Sequence, residues 1–327
     1  MRITSEMLSS SFLYDLSNNL NNMAKDQKQM ATGTKVSVPS DDPLGTSKVM
    51  NINSEIDQNT QYKTNISDAT KILDVTDTTL GQINNVLQRV NELLVSTGNP
   101  AYGATQLSSV KDEINQNISN LSQLLNTNYA GKYIFAGTSY DAKPTGTTTD
   151  ATTKDTSLNY VGSDGITAVL EANVGTDTQV SNINSDLPVE ISQGVTISSN
   201  VTAGDVMNYS STSNLRTLLS NITSHLNDGA TNTTSRADLV GSDLNGIQDA
   251  IKNVSSVTTR VGALQNRMKS ATTQNEAQNT SLTEALSSVD DIDYADASMN
   301  YSQAQTVYQA ALQTSAKILQ KSLLDYL

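Results

Sequence analysis

Few side chains in this sequence could do chemistry, and the densest group is acidic. Asp290, Asp291, Asp293 and Asp296 lie in the segment DDIDYAD, and carboxylate oxygens are the ligands that Ca²⁺ prefers. The segment lacks the Gly at the sixth position and the Glu at the twelfth position that a calcium-binding loop requires. Acidic residues are also favoured in the first turn of a helix. The sequence therefore predicts a helix start here rather than a metal site.

The chain of 327 residues has a single histidine, His225, and no cysteine. Disulfides, thiolate catalysis and zinc sites built on cysteine are therefore excluded, and no cluster of histidines can bind a metal. His225 lies in the polar segment SHLNDG, which predicts a solvated or capping imidazole. No glycine-rich phosphate loop precedes a helix, so nucleotide binding has no support. We expect no enzyme activity, no cofactor and no bound metal.

Charge and hydropathy restrict the partners. Lys and Arg number 20 against 33 Asp and Glu, giving a net charge of −13, which disfavours nucleic acid as a partner. Hydrophobic residues make up 36% of the chain, and no stretch approaches the roughly 20 apolar residues of a membrane span. Residues 1–12 lack the apolar run of a cleaved secretion signal. We expect neither nucleic acid nor membrane as a partner.

The elements that position these residues are mostly helical. In the first helix, apolar residues alternate three and four apart, as in a coiled coil. This helix should end at Gly33, the residue type favoured just past a helix end. A second helix should start at Pro43, with Asp41 or Asp42 capping its free N–H groups. Its seam positions step by seven, with one polar residue, Asn59, among apolar ones: Ile52, Asn59, Ile66, Leu73, Leu80, Leu87 and Leu94.

The middle of the chain has a different pattern. Residues 132–206 are rich in Thr, Gly and Asp, and residues 158–161 and 189–197 alternate as short strands do. Helical periodicity returns from Leu215 to the end. We predict a mainly α fold, with a helical coiled-coil rod formed by the N- and C-terminal segments and a small inserted β domain. The predicted parts are 1–42, 43–131, 132–206, 207–290 and 291–327, and the insert should be a removable surface appendage.

Heptad seams can serve as an intramolecular core or as surfaces for other subunits. We assign the internal seams to the core. For the terminal seams we expect burial only on assembly, with Leu16 and Leu20 packing against the region of Ile318 and Leu323 and against neighbouring subunits. The predicted assembly seam comprises Leu13, Leu16, Leu20, Met23, Ile318, Leu319, Leu323 and Leu324.

Several motifs near both ends resemble the flagellin superfamily. They are MRIT at the start, TGTKVSVPSDDP at 32–43, Gln61-Tyr62 with Asn65, GKYIFAG at 131–137, RVGALQNR at 260–267, YQAAL at 308–312 and SLLDYL at the end. The loop Pro39-Ser40-Asp41-Asp42-Pro43 and the final SLLDYL are similar to the members of this superfamily that are found at the hook-filament junction. Filament flagellins usually have an Ala-Lys-Asp-Asp-Ala type of sequence in that loop.

The resemblance implies an extracellular structural subunit of the bacterial flagellum, exported without a cleaved signal peptide. It would act as the adaptor at the hook-filament junction on which flagellin polymerises. Its implied partners are flagellin, the other junction protein, an export chaperone and further copies of itself in a ring. The alternatives are a short filament flagellin, or a helical adhesin or scaffold that binds through the β insert.

Overall fold

The structure is a computed structural model, and it describes residues 5–36, 38–40, 42–99, 101–162, 167–169, 177–210, 213–229 and 232–319. Its elements are, in chain order, α1 (Ser5–Thr32), α2 (Pro43–Thr97), α3 (Ala104–Leu125), β1 (Asn128–Tyr129), β2 (Lys132–Tyr133), β3 (Thr145–Thr149), β4 (Thr156–Tyr160), α4 (Thr178–Ile183), β5 (Pro188–Ser192), β6 (Val195–Ser198), α5 (Ala203–Met207), α6 (Leu215–Asp228), α7 (Thr233–Asp238), a π-helical segment (Leu239–Asp243), α8 (Leu244–Asp290) and α9 (Tyr294–Leu319). The fold is mainly α-helical with small sheets in the middle of the chain, as the sequence predicts.

The chain divides into two compact units. The first consists of Met1–Thr60 and Glu276–Leu327, and the second of Gln61–Asn275. The first unit contains α1 and α9 with the adjoining parts of α2 and α8. The second contains the sheets and the remaining helices.

The ends of the first two helices follow from local chemistry. Gly33 has φ +78°, and its N–H donates to the Gln29 carbonyl at 2.7 Å, so α1 ends where the sequence predicts. The Asp42 carboxylate accepts hydrogen bonds from the N–H groups of Leu44 (3.1 Å) and Gly45 (2.9 Å). Asp42 is therefore the cap of α2, while Asp41 lies outside the described residues.

The hydrophobic core lies in the second unit. The predicted heptad column of α2 forms one side of it, because Ile66, Leu73, Leu80, Leu87 and Leu94 are all buried. Facing this column are apolar residues of α3, α6 and α8, namely Leu107, Ile114, Ile118, Leu121, Leu219, Ile222, Ile247, Val254 and Val261. The assignment to an intramolecular core is confirmed from Ile66 to Leu94 and for the seam from Val254 to Met268, whereas Ile52 is only half-buried.

The strands form three antiparallel hairpins within the described residues, β1–β2, β3–β4 and β5–β6. In β3–β4 the register pairs Thr145 with Tyr160, and in β5–β6 it pairs Pro188 with Ser198. The strands predicted at 158–161 and 189–197 correspond to β4 and to the β5–β6 hairpin.

The expectation that the insert is an appendage is wrong, because its apolar residues belong to the same core as the helices. Phe135, Leu158 and Ile183 are fully buried in that core. Polar contacts attach it as well. The Asn115 side chain of α3 accepts from the Thr156 N–H at 3.0 Å and donates to the Lys154 carbonyl at 3.0 Å.

A buried lysine of α3 makes a second attachment. The Lys111 side chain is 10% exposed, and its ammonium donates to the Thr153 carbonyl and to the Asn227 side chain, both at 2.7 Å. It also lies 3.3 Å from the Asp155 carboxylate. One cation thus links α3, the β3–β4 turn and α6, so excision of the insert would remove the Thr153 carbonyl and the Asp155 carboxylate from this charge.

Candidate assembly surface

Two distant loops of the first unit are joined by backbone hydrogen bonds. The Lys35 N–H donates to the Asp290 carbonyl at 2.6 Å, and the Ile292 N–H donates to the Gly33 carbonyl at 3.2 Å. Thr34 and Asp291 form an antiparallel bridge between these bonds. We call this arrangement the clasp (residues 33–36 and 290–292). It joins the end of α1 to the start of α9 and so fixes their register.

Side chains reinforce the clasp. The Val36 N–H donates to the Asp290 carboxylate at 3.4 Å, and the Gln29 amide donates to the Lys35 carbonyl at 2.7 Å. Asp293 accepts from the Ala295 N–H at 2.8 Å and caps α9. The acidic cluster is therefore a helix start, as the sequence predicts. Within the described part of the chain, no group of three or more His, Cys, Asp or Glu side chains could hold a metal ion.

Because the clasp joins the end of α1 to the start of α9, the two helices run antiparallel. Half-buried residues of α1 recur three and four apart: Phe12, Leu16, Asn19, Met23, Asp26 and Met30. On α9 the corresponding residues are Ala297, Tyr301, Ala304, Tyr308, Ala311 and Ser315. The spacing on both helices is that of a coiled-coil seam, with small residues of α9 facing long ones of α1.

The residues of the predicted assembly seam on α1 differ in how far they are buried in the single chain. Leu16 and Met23 are half-buried at the seam with α9, so a single chain already covers them in part. Leu13 and Leu20 lie beside the seam and are 57% and 43% exposed. The expectation of burial only on assembly therefore does not hold for Leu16, which is half-buried in the single chain, whereas Leu20 is exposed there.

The contact of Leu16 with the region of Ile318 and Leu323 stays a prediction. Equal rise along two antiparallel helices from the clasp would place Leu16 level with the turn of Tyr308 and Ala311. Ile318 lies further towards the end of α9. Ile318 and Leu319 are in α9 but their side chains are outside the described residues, as are Leu323 and Leu324 entirely.

Apolar side chains on the outer sides of both helices are uncovered. They are Met7, Leu13, Tyr14 and Leu20 on α1, and Met299, Val307 and Leu312 on α9. We call this set the outer apolar face. Contiguous exposed apolar residues are typical of an interaction surface, and Leu13 and Leu20, seven residues apart, lie on the same side of α1.

The loop motif has a structural role in part. Asp42 and Pro43 begin α2, as described above, whereas Pro39 and Ser40 lie exposed in a turn. Exposure of Pro39 leaves it available to another molecule.

Sequence reasoning missed the role of a second motif, Gln61-Tyr62 with Asn65. The Asn65 amide donates to the Glu190 carbonyl at 3.0 Å, and the Tyr62 hydroxyl donates to the Glu190 carboxylate at 3.3 Å. Partial burial and the Glu190 charge raise the pKa of Tyr62. The motif thus attaches the β5–β6 hairpin to α2. Contacts across more than a hundred residues have no local sequence signature.

The sequence predicts a solvated or capping imidazole at His225, and the side chain is only partly solvated, with 27% of it exposed. Its Nδ1 lies 2.6 Å from the Asp243 carboxylate of the π-helical segment, and Asp243 is buried. Burial raises the pKa of Asp243, while the hydrogen bond and charge of His225 oppose this shift. The pair joins α6 to the π-helical segment. Among the helices of the described chain, none is long and apolar enough to cross a membrane.

Two family models match the chain. Residues 3–140 match the bacterial flagellin N-terminal helical region, and residues 244–327 match the bacterial flagellin C-terminal helical region. The two matches include α1, α9 and both sides of the clasp.

The relatives of known name include both flagellar hook-associated protein 3 and flagellin. The chain is 30% identical over 151 residues to flagellar hook-associated protein 3 of Salmonella typhimurium, which covers 44% of this chain and 46% of that protein. The aligned part is therefore about half the length of that relative. The chain is 24% identical over 317 residues to a flagellin of Bacillus subtilis, covering 95% and 94% of the two chains.

A solved structure shares the fold. The crystal structure of flagellar hook-associated protein 3 from Legionella pneumophila superposes with a TM-score of 0.58 at 12% identity. The superposition covers 74% of this chain and 98% of that one.

Proposed function

Because this chain belongs to the flagellin family, we propose that it is a structural subunit of the bacterial flagellum at the hook-filament junction. There it serves as the adaptor on which flagellin polymerises. The name of the Salmonella relative and the similarity of the loop Pro39–Pro43 to the junction branch support this assignment over a plain filament subunit.

The observation that carries the proposal is the outer apolar face on a clasped helix pair. A subunit that functioned alone would gain nothing from exposing Leu13, Leu20 and Leu312 to water. In a polymer, each such leucine contributes about 1.5–3 kcal/mol when it is fully buried. Residues 1–42 and 291–327 are therefore the assembly segments in this proposal, and Ile318, Leu319, Leu323 and Leu324 continue the surface.

The partners follow from the position in the flagellum. Copies of this chain form a ring, with the other junction protein on the hook side and flagellin on the filament side. An export chaperone holds the assembly segments before secretion, which uses the flagellar type III apparatus and no cleaved signal. The protein acts outside the cell and has no catalytic role.

Deletion of the gene tests the proposal. A junction adaptor is needed after the hook and before the filament, so the deletion strain should keep hooks of normal length and secrete unpolymerised flagellin into the medium. Electron microscopy of hooks and immunoblotting of culture supernatants measure the two effects. Filaments of normal length in the deletion strain would refute the junction role.

A filament flagellin is the second candidate, because the Bacillus flagellin aligns over nearly the whole chain. This alternative predicts that the purified protein polymerises alone into long filaments. It also predicts a deletion strain without filaments and without another flagellin in the medium. Both proposals predict loss of filaments in the deletion strain. Only the junction proposal predicts unpolymerised flagellin in the medium, and it does not predict that the purified protein polymerises alone.

A further inference from the structure

The GKYIFAG motif lies beside a pocket that the proposed function does not use. The pocket belongs to the second unit and has a volume of about 440 Å³. We call it the tyrosine pocket, and its walls include Tyr129, Tyr133, Tyr140, Ile72, Ile134 and Leu187. The whole sequence has only 12 tyrosines and two phenylalanines, so this one pocket contains a large share of the aromatic side chains of the chain.

The backbone holds the three tyrosines in place. Tyr129 and Tyr133 lie on the two strands of the β1–β2 hairpin, whose turn uses Ala130 and Gly131 with φ +51° and +85°. The Tyr133 N–H donates to the Tyr140 carbonyl at 2.9 Å, which brings the third tyrosine to the same place. The pocket is thus preformed, as ligand sites usually are.

The charges at the pocket favour an acidic ligand. Asp68 lies in the wall, but Lys71 neutralises it at 3.1 Å. The Lys132 ammonium lies 4.6 Å from the centre of the Tyr140 ring, and within the described residues no carboxylate is in ion-pair distance of it. One positive charge is therefore left at the rim of an aromatic pocket, although the chain as a whole has a net charge of −13.

The chain itself contains a segment whose apolar and acidic side chains match the aromatic rings and the positive charge of the pocket. Val38, Pro39 and Ser40 are exposed, and the carboxylate of Asp42 follows them without an ion-pair partner among the described residues. Aromatic-lined grooves bind proline side chains, and this segment presents Pro39 in an exposed turn. Val38 and Pro39 match the rings, and Asp42 matches the charge of Lys132.

We propose that the tyrosine pocket of one copy binds the segment Val38–Ser40 of a second copy. This inference rests on the proposed function, because it requires neighbouring copies in an assembly. It assigns a contact to two sequence motifs, the loop at 39–43 and GKYIFAG at 131–137. A contact of this kind would link each copy to the next around the ring.

The absence of cysteine allows a direct test by crosslinking. The test strain produces two versions of the full chain, Val38→Cys with an affinity tag and Asp68→Cys without one. Asp68 is an exposed wall residue, so its replacement leaves the three rings and Lys132 in place. Flagella are isolated, oxidised mildly and separated on a non-reducing gel. The matched control replaces Asp68→Cys by Asp112→Cys, an exposed position of α3 outside the pocket.

We expect a disulfide-linked dimer of the two versions in flagella, at several times the yield of the control pair. Adding Tyr133→Ala to the Asp68→Cys version should lower the yield towards that of the control. Equal yields from the two pairs, or a yield unaffected by Tyr133→Ala, would overturn the proposal. Either result would mean that the segment Val38–Ser40 of a neighbouring copy does not occupy the tyrosine pocket.

The crosslink and the junction role can fail separately. If both cysteine versions retain flagellin at the cell surface and no crosslink forms, the contact is wrong and the junction role stands. If the deletion strain keeps its filaments, the junction role is wrong whatever the crosslink shows.

Discussion

Leu20 and Leu80 occupy heptad positions of similar appearance, yet their replacement should have opposite consequences. Leu80 is fully buried in the core of the second unit, so Leu80→Ala should lower the free energy of unfolding by about 2–5 kcal/mol. Leu20 is 43% exposed beside the α1–α9 seam. Since complete burial of a leucine is worth about 1.5–3 kcal/mol, Leu20→Ala should cost about 1 kcal/mol or less.

In the assembled flagellum, by contrast, we expect a replacement at Leu20 to have a large effect. Leu20→Asp keeps its charge in water while the chain is alone, but contact with a neighbouring subunit would bury an unpaired carboxylate. We therefore expect this variant to be secreted as a folded protein that fails at the junction, with loss of motility and release of flagellin.

Two measurements test this pair of expectations. Urea unfolding followed by far-ultraviolet circular dichroism gives the stability of each purified variant, and swimming in soft agar with immunoblots of the medium gives assembly. If Leu20→Ala destabilises the free protein as much as Leu80→Ala, then α1 belongs to the folding core. The assignment of Leu20 to an assembly surface would then be refuted.

Three further perturbations address other contacts. Lys111→Met should lower the free energy of unfolding by about 3–5 kcal/mol in urea unfolding, because the Asp155 carboxylate, 20% exposed, loses its cation and keeps the hydrogen bond from the Asn227 amide. Gly33→Ala should cost about 1–2 kcal/mol and speed hydrogen exchange at the clasp amides, since φ is +78° there and the new methyl group would lie 3.1 Å from the Tyr294 hydroxyl. Burial raises the pKa of Asp243, so the folded chain binds that proton more tightly than the unfolded chain. Its stabilising contribution is present below about pH 3.8 and is lost as the pH rises, and Asp243→Asn should abolish this part of the pH dependence of unfolding.

Each of these has a matched control. Adding Asp155→Asn to Lys111→Met should recover part of the loss, and no recovery would contradict the charge argument. Gly131→Ala, at φ +85° with open space around it, should show the backbone strain alone and leave the clasp intact. Repeating the Asp243→Asn comparison in a His225→Gln background removes the imidazole from both chains. If Asp243→Asn leaves the pH profile unchanged there, the assignment to Asp243 is contradicted.

Sequence periodicity predicted the helices well, because each heptad column reports the burial of its own helix. The column Leu73, Leu80 and Leu87 is buried as expected, and Gly33 and Pro43 mark real helix boundaries. The signals here are local: spacing, a glycine with positive φ and a proline in a first turn.

Periodicity could not show which side of a helix faces which neighbour. Leu13 and Leu16 satisfy the same three-and-four spacing, yet only Leu16 lies at the seam with α9. Sequence patterns also could not predict the polar contacts that attach the insert. The side chains of Lys111, Asn115 and Asn65 donate hydrogen bonds to carbonyl groups far away in the sequence. The sequence therefore indicated a separable insert, whereas buried polar contacts attach the insert to the helices.

The clasp also sets an order of events during synthesis. Val36 and Asp290 are 254 residues apart, and closing a flexible loop of that length costs about 5 kcal/mol. Prior folding of residues 61–275 shortens the flexible part of that loop and removes most of this entropy. Because α1 is translated long before α9, it stays without this partner while the residues between the two helices are translated.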